Sequence, residues 1–326
     1  MKRVHIWGMA WDWGIDAYRT VCIPSLMQPD NIPWLLRNGF DVRFTFYTFK
    51  RDEQRLMNVL RGAFEGVAPG PGTLHVGIAA PDLSSQESFM LKRAAFLQEC
   101  QVAMEAGAPV LVTGADAFYG NGSIRNVCTY GMKPGIAIAV LSTRVKQEPF
   151  LRLLNEYRSA FGNEPVSNAR LVDMALRTEI DAAVNSNVDV ERNASFRTGT
   201  SVRDVSDDIQ VRIFHLPSPI LVWPLETDLR YLDGWCHGVY ESVDHLWPEK
   251  LVAERRWRVM ASSDLFFLAE LNSAETMTRH EYPMEENRLY NESFEFETTA
   301  TLTSEMIVAT FRREPYLSAL PRRNGA

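Results

Sequence analysis

Residues 109–122 of the chain read Pro-Val-Leu-Val-Thr-Gly-Ala-Asp-Ala-Phe-Tyr-Gly-Asn-Gly. The apolar run at 110–112 is continuous rather than alternating, which is typical of a strand buried on both faces. It is followed by one carboxylate, Asp116, and by a glycine-rich turn. Because open α/β sheets bind ligands at the carboxyl ends of their strands, we predict that Asp116 faces a ligand. The alternative is that Asp116 caps the turn that follows it.

The composition is that of a soluble globular protein with a substantial core, since 46% of the 326 residues are hydrophobic and 23% are charged. The formal net charge of -7 argues against a broad nucleic-acid-binding face. No signal peptide is evident, and no apolar stretch reaches the ~20 residues of a membrane span. The four cysteines form no Cys-x-x-Cys pair, so we expect reduced thiols and a cytoplasmic location.

Strand and helix patterns alternate regularly up to about residue 165, which predicts an α/β fold with a mostly parallel central sheet flanked by helices. The predicted strands are 4–7, 41–49, 74–78, 110–112 and 136–141. The predicted helices are 15–26, with a kink or stop near Ile23 because Pro24 follows, 31–39 with Asn31 as N-cap, 52–64, 84–106, 123–130, 148–161 and 169–177.

The pattern weakens after residue 178. Residues 185–207 are polar and predict a long loop or lid. Residues 211–223 have strand character interrupted by prolines, and 266–269 are strand-like within the segment 257–271. We expect residues 276–326 to form a C-terminal extension whose end frays.

Two further segments place ligand-binding residue types at predicted strand ends. The loop after the first strand contains Trp11, Asp12 and Trp13, and the second strand ends near Thr48. Aromatic rings stack on bases or sugars, and a carboxylate binds hydroxyl groups. The equal alternative is that both tryptophans pack against the edge of the sheet.

The common phosphate-binding and catalytic motifs are absent. The chain has no Gly-x-Gly-x-x-Gly after a strand, no Gly-x-x-x-x-Gly-Lys-[Ser/Thr], no Gly-x-Ser-x-Gly and no Cys/His set with zinc spacing. What remains is a set of acidic residues and histidines at the ends of predicted elements: Asp116, His215, Asp228, Asp233, His237 and Asp264.

Four segments, in order within residues 4–272, carry a resemblance to a known family. They are Cys22-Ile-Pro-Ser-Leu-Met-Gln-Pro-Asp-Asn-Ile-Pro, Gly114-Ala-Asp-Ala-Phe-Tyr-Gly-Asn-Gly-Ser-Ile-Arg, Phe214-His-Leu-Pro-Ser-Pro, and Tyr231-Leu-Asp-Gly together with Ser262-Ser-Asp264. In this ordered set the chain resembles a bacterial and phage group of glycosyltransferases with the GT-A fold.

The resemblance implies one GT-A-like domain at residues 1–275, with a donor-binding half at 1–165 and an acceptor half at 166–275. It implies transfer of a sugar from a nucleotide-sugar to a hydroxyl acceptor, either a surface glycan or a phage-type hydroxymethylated DNA base. For the donor we expect contacts at the first two strand ends and at the Asp116 turn: Trp7, Gly8, Trp11, Thr48, Asp116 and Ala117.

The chain departs from the family pattern at the metal site. The fold usually carries Asp-x-Asp, and Phe118 stands in place of the second aspartate, while Pro217 replaces a second histidine after His215. The resemblance therefore implies Asp116 as the main ligand of Mn²⁺ or Mg²⁺, with diphosphate oxygens and water completing the shell and His215 as a further ligand. The alternatives are a metal-free enzyme whose basic side chains or helix N-termini hold the diphosphate, and a structural, buried His215.

Asp233 and Asp264 are the candidates for acceptor binding, or for the general base that an inverting transfer needs. Each has an alternative interpretation. Asp233-Gly234 is equally a turn signal, and Asp264 equally suits a strand end. Ser262 stands where the family often has aspartate.

Two other classes of function compete with the transferase. One is a catalytically degenerate nucleotide-sugar-binding protein, because Phe118 breaks the metal pair. The other, ranked last, is a nucleotidyltransferase, which needs Lys or Arg directly after the first strand, and residues 8–14 contain neither. For a DNA acceptor, the basic residues near the predicted lid are Arg192, Arg197, Arg203 and Arg212.

Overall fold

The computed structural model of the chain describes residues 2–64, 70–80, 88–140, 142–162, 164–178, 200–205, 208–213, 219–236, 243–260, 262–272 and 307–312. The chain divides into two compact units, Met1–Val140 with Leu216–Val259, and Leu141–His215 with Met260–Ala326. The expected division into a domain at 1–275 and an extension at 276–326 stays a prediction.

The described strands are β1 Lys2–Met9, β2 Phe40–Tyr47, β3 Thr73–Ala79, β4 Val110–Thr113, β5 Ala117–Tyr119, β6 Ala137–Val140, β7 Thr143–Lys146, β8 Thr200–Val205, β9 Asp208–Ile213, β10 Pro219–Val222, β11 Trp257–Met260, β12 Leu268–Asn272 and β13 Ile307–Arg312. The described helices are α1 Trp13–Ala17, α2 Ile23–Leu26, α3 Ile32–Arg37, α4 Glu53–Ala63, α5 Ser88–Glu105, α6 Ser123–Gly131, α7 Gln147–Phe161, α8 Asn168–Arg177, α9 Glu226–Cys236 and α10 Val243–Ala253. A π-helical turn, Tyr18–Cys22, joins α1 to α2, and a 3-10 turn, Lys50–Asp52, precedes α4.

The first unit is built on a seven-stranded sheet with the order β11-β6-β10-β4-β1-β2-β3. β1 pairs in parallel with β2 and with β4, and β2 pairs in parallel with β3. β10 runs antiparallel to β4 and β6, between which it is inserted. The α/β fold with a mostly parallel central sheet, predicted from the sequence, is confirmed.

Alternation along β1 divides its side chains between two helical layers. The Trp7 ring contacts Phe96 of α5, with the ring centroids 5.2 Å apart. Gly8 points to the opposite face, where the side chain of Tyr18 covers it. Helices therefore flank both faces of the sheet, which explains why the strands β4, β6 and β10 are almost wholly buried and apolar.

The segment 13–26 differs from its prediction in one respect. The sequence predicts a kink or stop near Ile23. The stop is wrong, because the chain passes directly from the π-helical turn into α2, but the irregular helical geometry of that turn does end at Cys22, immediately before Ile23. Pro24 falls in the first turn of α2, where its missing N–H costs little. The π-helical turn accommodates the proline without ending the helix.

The second unit contains a parallel β7–β12 pair and an antiparallel β8–β9–β13 sheet. Two predictions here are wrong in part. β8 lies inside residues 185–207, which predicted a loop, while residues 179–199 lie outside the described residues. The strand β7 was not predicted from the sequence. In the first unit, α9 and α10 were not predicted either, because a glycine in α9 and Pro248 in α10 obscure the helical pattern. Among the described helices, none combines the length and apolarity needed to cross a bilayer.

A buried ion pair anchors α9 to the sheet. Asp228 is fully buried, and Nη1 of Arg256 donates to its Oδ1 at 2.9 Å. The Leu225 N–H donates to Oδ2 at 2.8 Å, and Nε1 of Trp247 to Oδ1 at 3.3 Å. Burial alone raises the pKa of Asp228, but the hydrogen bonds from Arg256 and Leu225 outweigh it and hold the pKa below its usual value. Asp228, a candidate from its place at an element end, is therefore explained as a structural residue.

We expect Asp228→Ala to lower the free energy of unfolding by about 3 kcal/mol, because it removes the buried carboxylate that binds Arg256, Trp247 and the Leu225 N–H, and leaves Arg256 with the exposed Glu254 as its remaining carboxylate. Urea denaturation followed by tryptophan fluorescence measures the change. Since the folded pKa of Asp228 is depressed, its contribution is present above the unfolded pKa and is lost as pH falls through the folded pKa. The difference between wild type and variant should therefore shrink in acid.

The matched control is Glu226→Ala on the same helix, whose ion pair with Arg230 lies at the surface. Exposed pairs contribute little, so this variant should unfold at nearly the wild-type urea concentration. If both variants unfold at the same urea concentration, the buried ion pair contributes no more stability than the exposed one, which contradicts the prediction.

Candidate functional site

The order of strands creates a topological switch point between β1 and β4. From β1 the chain goes outward through β2 and β3, and then returns to place β4 on the other side of β1. Crevices at such switch points, outside the carboxyl ends of the strands, are where open α/β sheets bind ligands. The segments that leave these ends are residues 10–14 after β1, which include the first two residues of α1, and residues 114–116 after β4.

The two segments approach each other closely. A Cβ built on Gly14 would lie 3.6 Å from the Cβ of Ala115, which is ordinary van der Waals contact. Asp116 is half-buried in the turn between β4 and β5, and the Ala117 N–H donates to the Gly114 carbonyl at 3.3 Å across that turn. The position predicted for Asp116, at the carboxyl end of a buried strand, is confirmed, whereas its role as a ligand contact stays a prediction.

The hydroxyl of Tyr18 ties the ends of β1 and β4 together. It accepts a hydrogen bond from the Met9 N–H at 3.2 Å and donates to the Thr113 carbonyl at 3.1 Å. The Thr113 hydroxyl in turn donates to the Trp7 carbonyl at 2.9 Å. These bonds satisfy buried polar groups beside the switch point and set the relative position of the two strand ends.

Gly8 is required by this arrangement. A Cβ at position 8 would lie 2.7 Å from the Tyr18 hydroxyl oxygen, 3.1 Å from a ring carbon of Phe44 and 3.2 Å from the Thr113 hydroxyl oxygen. A side chain at position 8 would therefore displace the residues that hold the strand ends. The expected donor contact of Gly8 stays a prediction, but the structure gives the residue a packing role of its own.

The carboxylate of Asp116 affects the pKa of three buried side chains, those of Tyr18, Cys22 and Tyr119. Burial raises the pKa of Tyr18, of Cys22 and of Tyr119, and the negative charge of Asp116 raises each of them further. All three groups therefore stay protonated at neutral pH. None of these three groups therefore supplies a thiolate or a phenolate beside Asp116.

The first two segments of the family resemblance form one structural assembly. The Ser25 hydroxyl accepts from the Tyr119 N–H at 3.1 Å, and Nδ2 of Asn31 donates to the Gly120 carbonyl at 3.0 Å. Oδ1 of Asn31 accepts from the Ile124 N–H at 3.0 Å. Residues 25–31 thus hold the strand and turn that follow Asp116.

Asn31 does not cap its own helix through its side chain, which corrects the sequence prediction. It occupies the N-cap position of α3, but its side chain makes no capping hydrogen bond there. The fully buried amide instead satisfies the second N–H of α6. The sequence pattern identified a capping residue but not the helix that it caps.

The other expected donor contacts lie at the same edge with different exposure. Trp7 and Thr48 are buried, and neither the Trp7 indole N–H nor the Thr48 hydroxyl has a hydrogen-bond partner among the described residues. Trp11 is half-buried, with its ring centroid 5.3 Å from that of Phe49. Ala117 is buried at the start of β5. Packing against Phe96 accounts for the burial of Trp7, whereas part of the Trp11 ring is accessible to solvent. The expected contacts of these residues with a donor stay predictions.

The acceptor candidates lie in different units. Asp233 is exposed on α9, so Asp233-Gly234 is inside a helix and the alternative of a turn is wrong. Asp264 is exposed in a turn after β11, and its backbone N–H donates to the Ser262 hydroxyl at 3.3 Å. Nδ2 of Asn168 donates to the Ser263 carbonyl at 2.8 Å and steadies that turn. His215 and His237 lie outside the described residues.

Sequence reasoning missed a group of arginines at the donor edge. The sequence pattern directed attention to residues 8–14, directly after the first strand, which contain no Lys or Arg. Arg51 and Arg55 instead follow β2 and bind Asp12 in the loop after β1. Nη2 of Arg51 donates to the Asp12 carboxylate at 3.0 Å. Parallel pairing of β1 with β2 places the two carboxyl ends together, and this is the signal that the sequence analysis did not use.

The described residues contain no group of three or more His, Cys, Asp or Glu side chains arranged to hold a metal ion. Metal binding by Asp116 therefore stays a prediction, as does the role of His215, which lies outside the described residues. Of the cavities, one of about 530 Å³ contains none of the predicted site residues. Its lining is Arg19, Ile23, Pro24, Met27, Asn58, Val59, Gly62 and Ala63.

Comparison with protein-family models and with curated proteins finds no match. Among solved structures, 4-diphosphocytidyl-2C-methyl-D-erythritol synthase from Anaerococcus prevotii DSM 20548 is similar with 9% identity and a TM-score of 0.37, over 86% of this chain and 94% of that chain. Core-mannan synthase A from Aspergillus fumigatus, in an Mn/GDP form, has 8% identity and a TM-score of 0.34, over 84% of this chain and 77% of that chain.

Mouse xyloside xylosyltransferase 1, in its apo form, has 11% identity and a TM-score of 0.26, over 51% of this chain and 62% of that chain. Similarity at these levels carries no argument about activity, substrate or metal. The assignment of a function depends on the residues at the switch point.

We expect Gly8→Ala to destabilise the protein by about 1–3 kcal/mol, because the new methyl group collides with the Tyr18 hydroxyl. Tyr18→Phe alone also destabilises, since it leaves the Met9 N–H and the Thr113 carbonyl without their buried partner. The double variant should be more stable than the sum of the two changes, because the phenyl ring lacks the colliding oxygen. Urea denaturation of all four proteins measures this coupling, and strictly additive effects would contradict it.

Proposed function

We propose that the protein is a glycosyltransferase that moves a sugar from a nucleotide-sugar to a hydroxyl acceptor. The observation that carries this proposal is the place of Asp116, half-buried at the carboxyl end of β4 beside the β1–β4 switch point. The ordered sequence segments agree with it, because the two nearest to Asp116 form the assembly that holds its turn. In this proposal residues 1–165 bind the donor and residues 166–275 bind the acceptor.

The leaving group of such a transfer is a nucleoside diphosphate, whose negative charge develops as the glycosidic bond breaks. Asp116 is the proposed ligand for Mn²⁺ or Mg²⁺, and a bound cation would stabilise that charge. His215 is the proposed further ligand. The aromatic residue Trp11 offers a half-buried ring for the base or the sugar.

Asp233 and Asp264 are the proposed acceptor residues because both carboxylates are exposed. Either can orient a hydroxyl group or accept its proton. The acceptor is a surface glycan or a hydroxymethylated DNA base, and a steep loss of transfer to DNA with rising salt would identify the latter. We propose that the enzyme acts in the cytoplasm, since all four cysteines are free.

The second candidate is a catalytically degenerate nucleotide-sugar-binding protein. It is favoured by Phe118, which is buried in β5 where the family has its second metal-binding aspartate. A buried phenyl ring supplies no ligand to a cation. This candidate predicts donor binding without turnover, and the transferase predicts both.

The test is release of nucleoside diphosphate from a panel of UDP- and GDP-sugars, with Mn²⁺, with Mg²⁺ and with a chelator. We expect turnover of at least one donor, and a loss of about 100-fold or more in kcat/KM for Asp116→Asn, as for removal of one electrostatic contact to the leaving group. The matched control is Glu105→Gln, an exposed carboxylate at the end of α5 that precedes the opposite end of β4. This control should retain wild-type turnover.

Two results would overturn the proposal. Absence of binding and turnover for every donor, with and without Mn²⁺, excludes a nucleotide-sugar enzyme. Turnover that survives Asp116→Asn unchanged removes the residue on which the proposal rests. Binding without turnover selects the degenerate protein instead.

A further inference from the structure

Three arginines and two half-exposed aspartates form a charged cluster beside the switch point, next to the buried Asp52, whose carboxylate lies 3.4 Å from Nε of Arg51. Nη2 of Arg51 lies 3.0 Å from both carboxylate oxygens of Asp12, and Nη1 of Arg55 donates to the Asp12 carbonyl at 3.1 Å. Nη2 of Arg55 also binds Asp16, and Arg19 lies 3.3 Å from the other oxygen of Asp16. All five side chains are about half-exposed, so solvent reaches the cluster.

The backbone of Asp12 is held in an unfavourable conformation. Its φ is 47° and its ψ is -121°, outside the regions that residues with a side chain ordinarily occupy. Among the described residues other than glycine, positive φ occurs at Asp12 and at Arg255. Arg51 binds the Asp12 carboxylate and Arg55 binds the Asp12 carbonyl. Both contacts stabilise the backbone of Asp12 in the conformation with positive φ. Strain of this kind persists where surrounding contacts impose it, and it concentrates at binding sites and switches.

The strained residue lies where a donor would enter. Asp12 is in the loop that leaves β1, and Gly14, two residues later, is in contact distance of the turn that carries Asp116. Arg51 and Arg55 come from the segment that leaves β2, so their guanidinium groups reach the same edge of the sheet. The cluster and Asp116 therefore belong to neighbouring loops of one unit.

We propose that Arg51 and Arg55 form a binding site for the diphosphate of a nucleotide, and that the Asp12 carboxylate occupies this site while no ligand is bound. The inference rests on the proposed function, and it adds a phosphate contact and a competing internal anion. A carboxylate and a phosphate present similar oxygens to a guanidinium group. A diphosphate carries more charge and more acceptor oxygens than one carboxylate, and it displaces Asp12.

Three features make Asp12 a displaceable occupant rather than a permanent partner. The pair is half-exposed, and exposed ion pairs contribute little stability. Release of Asp12 lets its backbone return to an ordinary conformation, which favours exchange. The guanidinium groups of Arg19, Arg51 and Arg55 balance the carboxylates of Asp12, Asp16 and Asp52, so displacement of Asp12 leaves a net positive charge that a diphosphate can neutralise.

The experiment is calorimetric titration of the full chain with inorganic pyrophosphate, and in a parallel arm with UDP and GDP, at low ionic strength. Arg51→Gln and Arg55→Gln should each weaken pyrophosphate binding about tenfold, the loss expected for one charged hydrogen bond. Asp12→Asn should instead tighten binding about two- to fivefold, because it removes the competing charge. Arg61→Gln is the matched control for loss of one positive charge, because Arg61 is exposed near the C-terminal end of the helix that carries Arg55 and lies outside the cluster. It should change the affinity less than twofold.

The direction of the Asp12→Asn effect decides the inference. Weaker or unchanged pyrophosphate binding in this variant would overturn it, as would equal losses in Arg51→Gln and Arg61→Gln. Circular dichroism and thermal melting verify the fold, and Arg51→Lys replaces Arg51→Gln if that variant melts early. Nucleoside diphosphates should bind more tightly than pyrophosphate and follow the same order of variants, and tighter binding of pyrophosphate would overturn the assignment to a nucleotide.

Failure of this inference is distinguishable from failure of the proposed function. If the variants follow the expected order but no nucleotide-sugar is turned over, the diphosphate site stands and the transferase does not. If donor turnover depends on Asp116 while the Arg51 and Arg55 variants bind and react normally, the transferase stands and this site does not.

Discussion

The hydroxyl of Tyr18 is the contact on which the candidate site depends. It joins the Met9 N–H to the Thr113 carbonyl and so fixes the end of β1 relative to the end of β4. Gly8 leaves the space that this hydroxyl occupies, and the π-helical turn, which begins at Tyr18, carries the ring. The loops that follow the two strands start from these fixed ends, and Asp116 belongs to one of them.

Four polar side chains of the two family-like segments around Asp116, those of Ser25, Gln28, Asn31 and Asn121, form hydrogen bonds with the backbone of the other segment. Ser25 and Asn31 bind main-chain groups of residues 119–124, and Nε2 of Gln28 donates to the Tyr119 carbonyl at 2.9 Å. Such residues preserve the shape of a site without touching its ligand. The polar residues of the two segments are therefore explained by the support that they give to the turn after β4, which is a property of the fold and not of an activity.

Polar side chains in the first unit differ in their exposure to solvent, as two groups of residues illustrate. Behind the sheet, the carboxylate of Glu99 lies between His5 and the Tyr47 hydroxyl, all three buried, at 2.6 Å and 3.1 Å. Burial and the negative charge of Glu99 raise the pKa of Tyr47, so the phenol stays neutral. At the carboxyl edge, by contrast, Asp12, Arg51 and Arg55 are half-exposed. The buried group contributes to the stability of the fold, while the half-exposed charges are in contact with solvent.

The sequence by itself determined the local elements and the place of Asp116. A continuous apolar run predicted β4, and regular alternation predicted the parallel sheet with its flanking helices, because these patterns depend on burial and period alone. Two local signals were overridden by tertiary packing. Asp233-Gly234, a common turn signal, lies inside α9, and the side chain of Asn31, at the N-cap position of α3, caps α6 instead.

Only the tertiary structure decided which distant residues meet. Asp12 and Arg51 are 39 positions apart, and they pair because parallel alignment of β1 with β2 brings the two following segments to one edge. The pairing of β4 beside β1 likewise places Asp116 next to the first loop. Strand order and register are set by packing across the whole sheet, and no local propensity contains that information.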